Sequence, residues 1–112
     1  MADFHDAGKP TAVVCRATCV LLTATAAGGG LIVDRRTWTG FANSEEDYAD
    51  SFAGQAIQPF RIEDRARTLA GTNFIVDSRF KSFAIRDGNL ITGQQQYSGA
   101  AAARLVIESL GV

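Results

Sequence analysis

The residue of this chain best placed to do chemistry is Cys15. It ends residues 11–15, an apolar run rich in β-branched side chains that predicts a buried strand, and a helical pattern follows over residues 17–23. A thiol between a parallel strand and a helix faces unpaired backbone N–H groups and the positive end of the helix dipole. Such a position lowers a thiol pKa from about 8.5 to roughly 3.5–7.5, which leaves a thiolate at neutral pH. The alternative is a structural cysteine, because free cysteine is among the most buried residue types.

Cys19 is the second thiol and lies four residues after Cys15. Residues four apart share one face of an α-helix, so the spacing allows the two thiols to approach if Cys15 is oxidised. The first ten residues show no basic segment followed by an apolar one, and no stretch reaches the ~18 apolar residues of a membrane span. We therefore expect a cytoplasmic protein with reduced thiols and no membrane partner.

Length and charge limit the remaining functions. The 112 residues predict one domain, residues 1–112. Eleven basic and twelve acidic residues give a net charge of −1 without any basic run, so nucleic acid is not an expected partner. Metal-ligand residue types occur without zinc-site spacing, and the glycines at residues 28–30 do not follow a strand as a phosphate loop would. The sequence therefore predicts no metal and no cofactor.

Helix and strand signals alternate along the chain. Helical patterns cover residues 3–7, 17–23, 62–69 and 98–110, with a short helix also starting at Ser44. Strand patterns cover residues 11–15, 31–33, 36–39, 73–76, 82–85 and 90–92. Residues 44–47 have the form of a capping box, Ser98 is a candidate N-cap, and Asp87-Gly88 between apolar runs predicts a hairpin. The alternation predicts an α/β three-layer sheet.

Three separated motifs carry a resemblance to a known family. Gly-Lys-Pro at residues 8–10 leads into the Val14-Cys15 elbow, residues 39–46 read TGFANSEE, and residues 87–94 read DGNLITGQ. In this order they resemble the ThiJ/PfpI superfamily, which has the class I glutamine amidotransferase-like fold. The resemblance runs from about Phe4 to the C-terminus. It implies a flavodoxin-like, mostly parallel sheet, apparently truncated at the N-terminus because family members carry a further N-terminal half.

The resemblance also implies roles for three residues. Cys15 corresponds to the reactive cysteine of the family, and Glu46 to the acid of a Cys-His-Glu triad. Arg16 stands where those members have the general-base histidine, and arginine cannot accept a proton because it is effectively always protonated. Arg16 either lowers the pKa of Cys15 by its charge or pairs with Glu46. His5, the only histidine, is expected at the surface, away from Cys15.

Other polar and aromatic residues leave alternatives open. The acidic residues at positions 45–47 also fit a solvated first turn of a helix. Residues 94–96 and Tyr97 fit either the rim of a cleft or a solvent-facing segment. The larger aromatic residues are expected to supply core and subunit contacts: Trp38, Phe41, Phe52, Phe60, Phe74, Phe80 and Phe83.

Two functions from different classes follow. In the first, the chain performs thiol-based hydrolase-like or lyase-like chemistry on a small carbonyl, of glyoxalase or protein-repair type, or senses oxidants. In the second, it is a non-catalytic, chaperone-like or scaffold relative, because losing one member of a cooperative catalytic set removes most of the rate. We further expect a homodimer or a complementary chain as partner, since the strand at residues 11–15 would otherwise have an unpaired edge.

Overall fold

The computed structural model describes residues 1–56 and 59–111, with the side chains of Ala2 and Phe4 left out. Its elements in chain order are α1 (Ala2–Asp6), β1 (Thr11–Val14), the 3₁₀ helix η1 (Cys15–Leu22), β2 (Thr37–Trp38), α2 (Asn43–Ala53), α3 (Ile62–Arg67), β3 (Asn73–Phe74), β4 (Ala84–Asp87), β5 (Leu90–Gly93), the 3₁₀ helix η2 (Gln96–Ser98) and α4 (Gly99–Ser109). The predicted α/β class is confirmed.

The main sheet has the strand order β1–β5–β4. β1 and β5 run parallel, with Thr11 opposite Leu90 and Val14 opposite Gly93. β4 and β5 form an antiparallel hairpin, and Gly88 in its turn has a φ of 62°. Glycine adopts this left-handed conformation at little cost, as a tight hairpin turn requires, so the hairpin prediction from Asp87-Gly88 is confirmed. A second, parallel pair of strands consists of β2 and β3.

The hydrophobic core is formed by residues of both sheets, of η1 and of α3. Its buried members include Leu21 of η1, Trp38 of β2, Phe74 of β3 and Leu90 of β5. The rings of Trp38 and Phe74 meet edge to face with their centroids 4.8 Å apart, a favoured aromatic geometry. α4 packs on β1, β4 and β5, while α3 packs on η1. These contacts fix the end of β1, where Cys15 lies.

Residues 15–22 form a 3₁₀ helix, whereas the sequence predicted an α-helix in an interior position. Three residues per turn bring Thr18 and Leu21 to one side, and both are buried. Cys19 and Val20 are exposed, so the interior position was wrong for this segment. In a 3₁₀ helix, residues four apart point about 120° away from each other. The predicted shared face of Cys15 and Cys19 is therefore also wrong.

Residues 31–33 do not form the predicted strand. Leu31 makes one isolated bridge to Thr25, and the following residues form a turn that buries Ile32 and Val33. A short apolar run is compatible with any buried segment, and here it is buried in the hydrophobic core as a turn.

One of the two predicted N-caps is confirmed in position, and the other is not. α2 begins at Asn43, and the backbone N–H of its N-cap Ala42 donates to Glu45 Oε1 at 3.0 Å, which is one half of a capping box. Ser44 therefore lies inside the helix. Ser98 is the N-cap residue of α4, as predicted, but its side chain makes no capping hydrogen bond, because its Oγ donates to Gln95 Oε1 and accepts from the N–H of Phe83.

Two features are absent from residues 1–56 and 59–111. No helix in these ranges combines the length and hydropathy needed to cross a membrane. No three His, Cys, Asp or Glu side chains there gather closely enough to hold a metal ion.

Candidate active site

Cys15 occupies a strained junction between β1 and η1. Its φ is 63°, the left-handed region that non-glycine residues rarely adopt and that costs on the order of 1–3 kcal/mol. The backbone N–H groups of Arg16 and Gln96 lie close enough to the thiol to favour its thiolate form. A strained strand-to-helix turn that presents a side chain to backbone donors has the geometry of a nucleophile elbow.

Two glycines let the neighbouring segments approach this junction. Thr18 Oγ1 donates to the carbonyl of Cys15 at 2.6 Å and packs against Gly40 so closely that a Cβ there would overlap it. A Cβ on Gly93 would lie 3.1 Å from Val14 Cγ2, tighter than ordinary contact. The small residues at these positions therefore allow β1, β5 and the loop before α2 to meet beside Cys15.

Burial raises the pKa of the Cys15 thiol, because desolvation disfavours the thiolate more than all other influences together favour it. The backbone N–H and the charge of Arg16 act in the opposite direction, as does the N–H of Gln96, while the charge of Glu45 raises the pKa further. The expected lowering of this pKa is therefore wrong. The thiol is half-buried, and the neighbouring hydrogen-bond donors do not compensate for the hydration that the thiolate loses.

Arg16 and Glu46 form an ion pair, with Arg16 Nη2 at 2.9 Å from Glu46 Oε1. The Glu46 side chain is almost fully buried, whereas that of Arg16 is one-third exposed. The guanidinium carbon of Arg16 also lies 4.9 Å from the ring centroid of Phe41. Of the two alternatives for Arg16, the structure contains both, since it pairs with Glu46 and its charge also acts on Cys15. We call Cys15, Arg16 and Glu46 the thiol site.

Glu45 is a buried residue whose position the sequence reasoning missed. It is fully buried, and its carboxylate accepts from the N–H groups of Ala42 and Phe80 and from Gln94 Nε2, all between 3.0 and 3.1 Å. The solvated first turn expected for residues 45–47 is correct only for Asp47, which is exposed. Glu45 joins the start of α2 to the end of β5, and no local sequence signal indicated this.

The glutamines after β5 divide between the two alternatives. Gln94 and Gln95 are fully buried, whereas Gln96 and Tyr97 are exposed. Gln94 Oε1 accepts from the N–H of Asp77 at 2.7 Å, and its amide also donates to the carbonyl of that residue. The buried pair therefore holds the loop before β4, and the exposed pair lies near the pocket described next.

A pocket of about 300 Å³ lies beside the thiol site. We call it the aromatic pocket, and its lining residues are Arg16, Phe41, Glu45, Tyr48, Ala49, Phe52, Ala53, Phe80 and Gln96. The two residues whose backbone N–H groups favour the thiolate, Arg16 and Gln96, are both among them. A molecule bound there would therefore contact the immediate neighbours of Cys15.

His5 is buried, with only 7% of its surface exposed, so its expected surface position is wrong. It precedes β1, whereas Cys15 follows it, and the four residues of the strand span about 13 Å. Its Nδ1 is buried without a hydrogen-bond partner among the described residues. Burial, and then the charge of Arg36, lower the pKa of His5. It is therefore too distant to serve Cys15 as a base.

No protein-family model and no curated protein matches the chain. Solved structures do match it, and these include the following three. APC35852 is 34% identical with a TM-score of 0.84, covering 98% of this chain and 48% of that one. The Rapid Encystment Protein 24 KDa of Francisella tularensis is 25% identical with a TM-score of 0.82, covering 96% and 46% respectively. Glyoxalase III from Candida albicans is 20% identical with a TM-score of 0.73, covering 94% and 45%. The chain thus spans slightly less than half the length of each.

Proposed function

Because this chain has a ThiJ/PfpI-like fold and corresponds to slightly less than half of each structural neighbour, we propose a function for its thiol site: Cys15 adds as a nucleophile to a small carbonyl compound. The observation that carries this proposal is the left-handed φ of Cys15, which holds the thiol at the end of β1 against two backbone N–H groups. Nothing in the packing of a merely structural cysteine requires this strained conformation.

The proposed step is a reversible addition. The Cys15 thiolate forms a C–S bond to the carbonyl carbon, the π electrons move to the oxygen, and water supplies the proton that completes a hemithioacetal. The N–H groups of Arg16 and Gln96 favour the thiolate, and Arg16 places a positive charge near the developing alkoxide. The half-buried thiol remains accessible to a small aldehyde.

Isomerisation of such an adduct, as in glyoxalase-type chemistry, needs a base that moves a proton between carbons. Arg16 cannot accept a proton, and the carboxylate of Glu46 is engaged by it. Glu45 is buried and accepts three hydrogen bonds. We therefore propose that the described thiol site captures carbonyls and turns them over slowly. The raised pKa limits the thiolate population for this addition as it does for oxidation.

Protection from alkylation tests this proposal. Iodoacetamide modifies free thiols, and mass spectrometry separates modification at Cys15 from that at Cys19. We expect methylglyoxal to slow alkylation of Cys15, while the exposed Cys19 in the same molecule provides the comparison. Equal slowing of both thiols would show unselective chemistry and contradict the proposal. Acetone, a poorer electrophile of similar size, is the matched control and should protect neither.

A non-catalytic, chaperone-like or scaffold role is the second candidate. The Arg16–Glu46 ion pair favours it, because it occupies the position where the resemblance implies a proton acceptor. If the Cys15→Ser substitution leaves every measured property of the protein unchanged, that result would support this role over the first. The two free thiols fit a reducing compartment, and we propose the cytoplasm as its location.

We also propose a partner strand for the main sheet. β1 pairs with β5 on one side, and in the part of the chain that the structure describes no strand pairs with its other side. A free edge presents unpaired N–H and C=O groups to any available strand. A second copy of this chain, or a complementary chain, would satisfy these groups.

A further inference from the structure

The aromatic pocket is larger and more apolar than a small carbonyl requires. Its volume of about 300 Å³ reaches the range of sites that hold drug-sized ligands, ~300–1,000 Å³. Four of its nine lining residues are aromatic, and one of these, Phe52, is 87% exposed. A large exposed ring at the mouth of a pocket is a feature of binding surfaces rather than of a core.

The rings are arranged to receive another ring. Tyr48 and Phe80 meet edge to face with centroids 4.9 Å apart, and Phe80 meets Tyr97 in the same way at 6.0 Å. Perpendicular rings leave faces and edges open for further stacking or edge contacts. Tyr48 and Tyr97 are about half exposed, so a flat apolar ligand would remove them from water.

The acidic groups at the aromatic pocket already have partners. Glu45 accepts three hydrogen bonds, and Glu46 behind it is paired with Arg16. Neither carboxylate is therefore free to attract a cationic ligand.

One cationic side chain at the aromatic pocket lacks an acidic partner. It is not Arg16, which is paired with Glu46 and whose unpaired Nε is buried. Arg79 lies over the rings of Tyr48 and Phe80, at 5.3 and 5.6 Å from their centroids, and forms no ion pair within residues 1–56 and 59–111. A guanidinium with no acidic partner attracts a carboxylate strongly, and often through two hydrogen bonds.

We propose that the aromatic pocket binds an aromatic carboxylate. The ring of the ligand lies against Tyr48 and Phe80, and its carboxylate accepts hydrogen bonds from Arg79. This binding needs no reaction with Cys15, so it extends beyond the proposed thiol chemistry and stands or falls separately from it.

Ligand-observed NMR titration tests the proposal with three probes. We expect phenylacetate to bind about tenfold more tightly than the neutral phenylacetamide, because only phenylacetate brings a negative charge to Arg79. Cyclohexylacetate, which keeps the charge and loses the aromatic ring, should also bind more weakly than phenylacetate. Equal affinity for phenylacetate and phenylacetamide would overturn the proposal, as would the absence of phenylacetate binding to the folded protein.

Variants locate the interaction. Arg79→Gln should weaken phenylacetate binding about tenfold and leave phenylacetamide binding unchanged, whereas Arg104→Gln, an exposed arginine on α4, should change neither. Arg79 is exposed, so its replacement leaves the core intact. Cys15→Ser should retain binding even if all thiol chemistry is lost. An equal effect of Arg79→Gln and Arg104→Gln would indicate only general charge attraction and overturn the proposal.

Discussion

The Arg16 guanidinium lies 2.9 Å from the Glu46 carboxylate, directly after the cysteine that begins η1. The pair removes two functions from the thiol site. Arg16 cannot take a proton, and Glu46 is occupied by the arginine instead of orienting a base. The chemistry that remains is the addition that a thiol performs without a protein base. Several expected outcomes follow from this relationship and from the surrounding contacts.

Replacing Arg16 with histidine should supply the missing base. In Arg16→His, the imidazole can donate one N–H to the Glu46 carboxylate and exchange a proton at neutral pH through its other nitrogen. General acid–base catalysis contributes about 10²–10⁴-fold, so we expect methylglyoxal conversion to rise by at least the lower value. The measurement is lactate formation over time. Arg16→Gln is the matched control and should show no gain; a folded Arg16→His protein without any gain would contradict this role of Glu46.

The pH dependence of thiol reactivity should follow the raised pKa of Cys15. The thiolate is the reacting form, so its alkylation rate should still be increasing above pH ~9.5, where an ordinary thiol of pKa about 8.5 is almost fully ionised and its rate levels off. The rate is measured with iodoacetamide on Cys19→Ser protein, which isolates Cys15. A rate that is already constant between pH 7 and 8 would mean that the thiolate is stabilised and that desolvation does not dominate.

Glu45→Gln should destabilise the fold although its shape is nearly unchanged. The new amide would place N–H groups against the donors from Phe80 and Gln94, leaving buried groups without acceptors. Such a loss costs about 1–3 kcal/mol in the free energy of unfolding. Urea denaturation measures it, and Asp47→Asn is the control. Asp47 is exposed and forms an ion pair with Arg61, and this pair should contribute no more than about 1 kcal/mol to stability. Equal effects of Glu45→Gln and Asp47→Asn would therefore be inconsistent with a buried network around Glu45.

His5 should make stability fall in mild acid. Its folded pKa is lowered by burial and by Arg36, so the unfolded chain binds the proton more readily. The contribution of neutral His5 is full above the unfolded pKa of 6.5 and is lost as pH falls toward the folded value. Asp6 opposes the shift without reversing it. The change in the urea midpoint between pH 7 and pH 5 should therefore be smaller in His5→Gln than in the unchanged protein. An identical change in both proteins would exclude His5 as the cause of the loss of stability in acid.

The free edge of β1 should mediate association. Thr11 donates its N–H toward β5, and alternation along a parallel strand directs the N–H of Ala12 to the other side. Ala12→Pro removes that donor from the free edge and leaves the pairing with β5. Sedimentation velocity at low micromolar concentration should show a dimer or larger species that this variant weakens. A compact monomer in both proteins would contradict the proposed partner strand.

Local chemistry made some elements predictable, while contacts between distant residues decided others. The Asp87-Gly88 turn depends on one left-handed glycine, and the Asp-Gly dipeptide alone predicts it. The burial of Glu45 depends on donors 35 and 49 residues away, which no local pattern describes. His5 is likewise held by Asn89, whose amide donates to its carbonyl from 84 residues away. Cys15 was predictable in position but not in pKa, because the pKa depends on how completely the folded chain removes water.

Direct observation of the carbonyl adduct tests the central claim. Titration with ¹³C-labelled methylglyoxal should produce one hemithioacetal carbon signal that saturates at one equivalent per chain, survives Cys19→Ser and disappears in Cys15→Ser. A signal that persists in Cys15→Ser, or that depends on Cys19, would contradict the assignment of Cys15 as the nucleophile of this site.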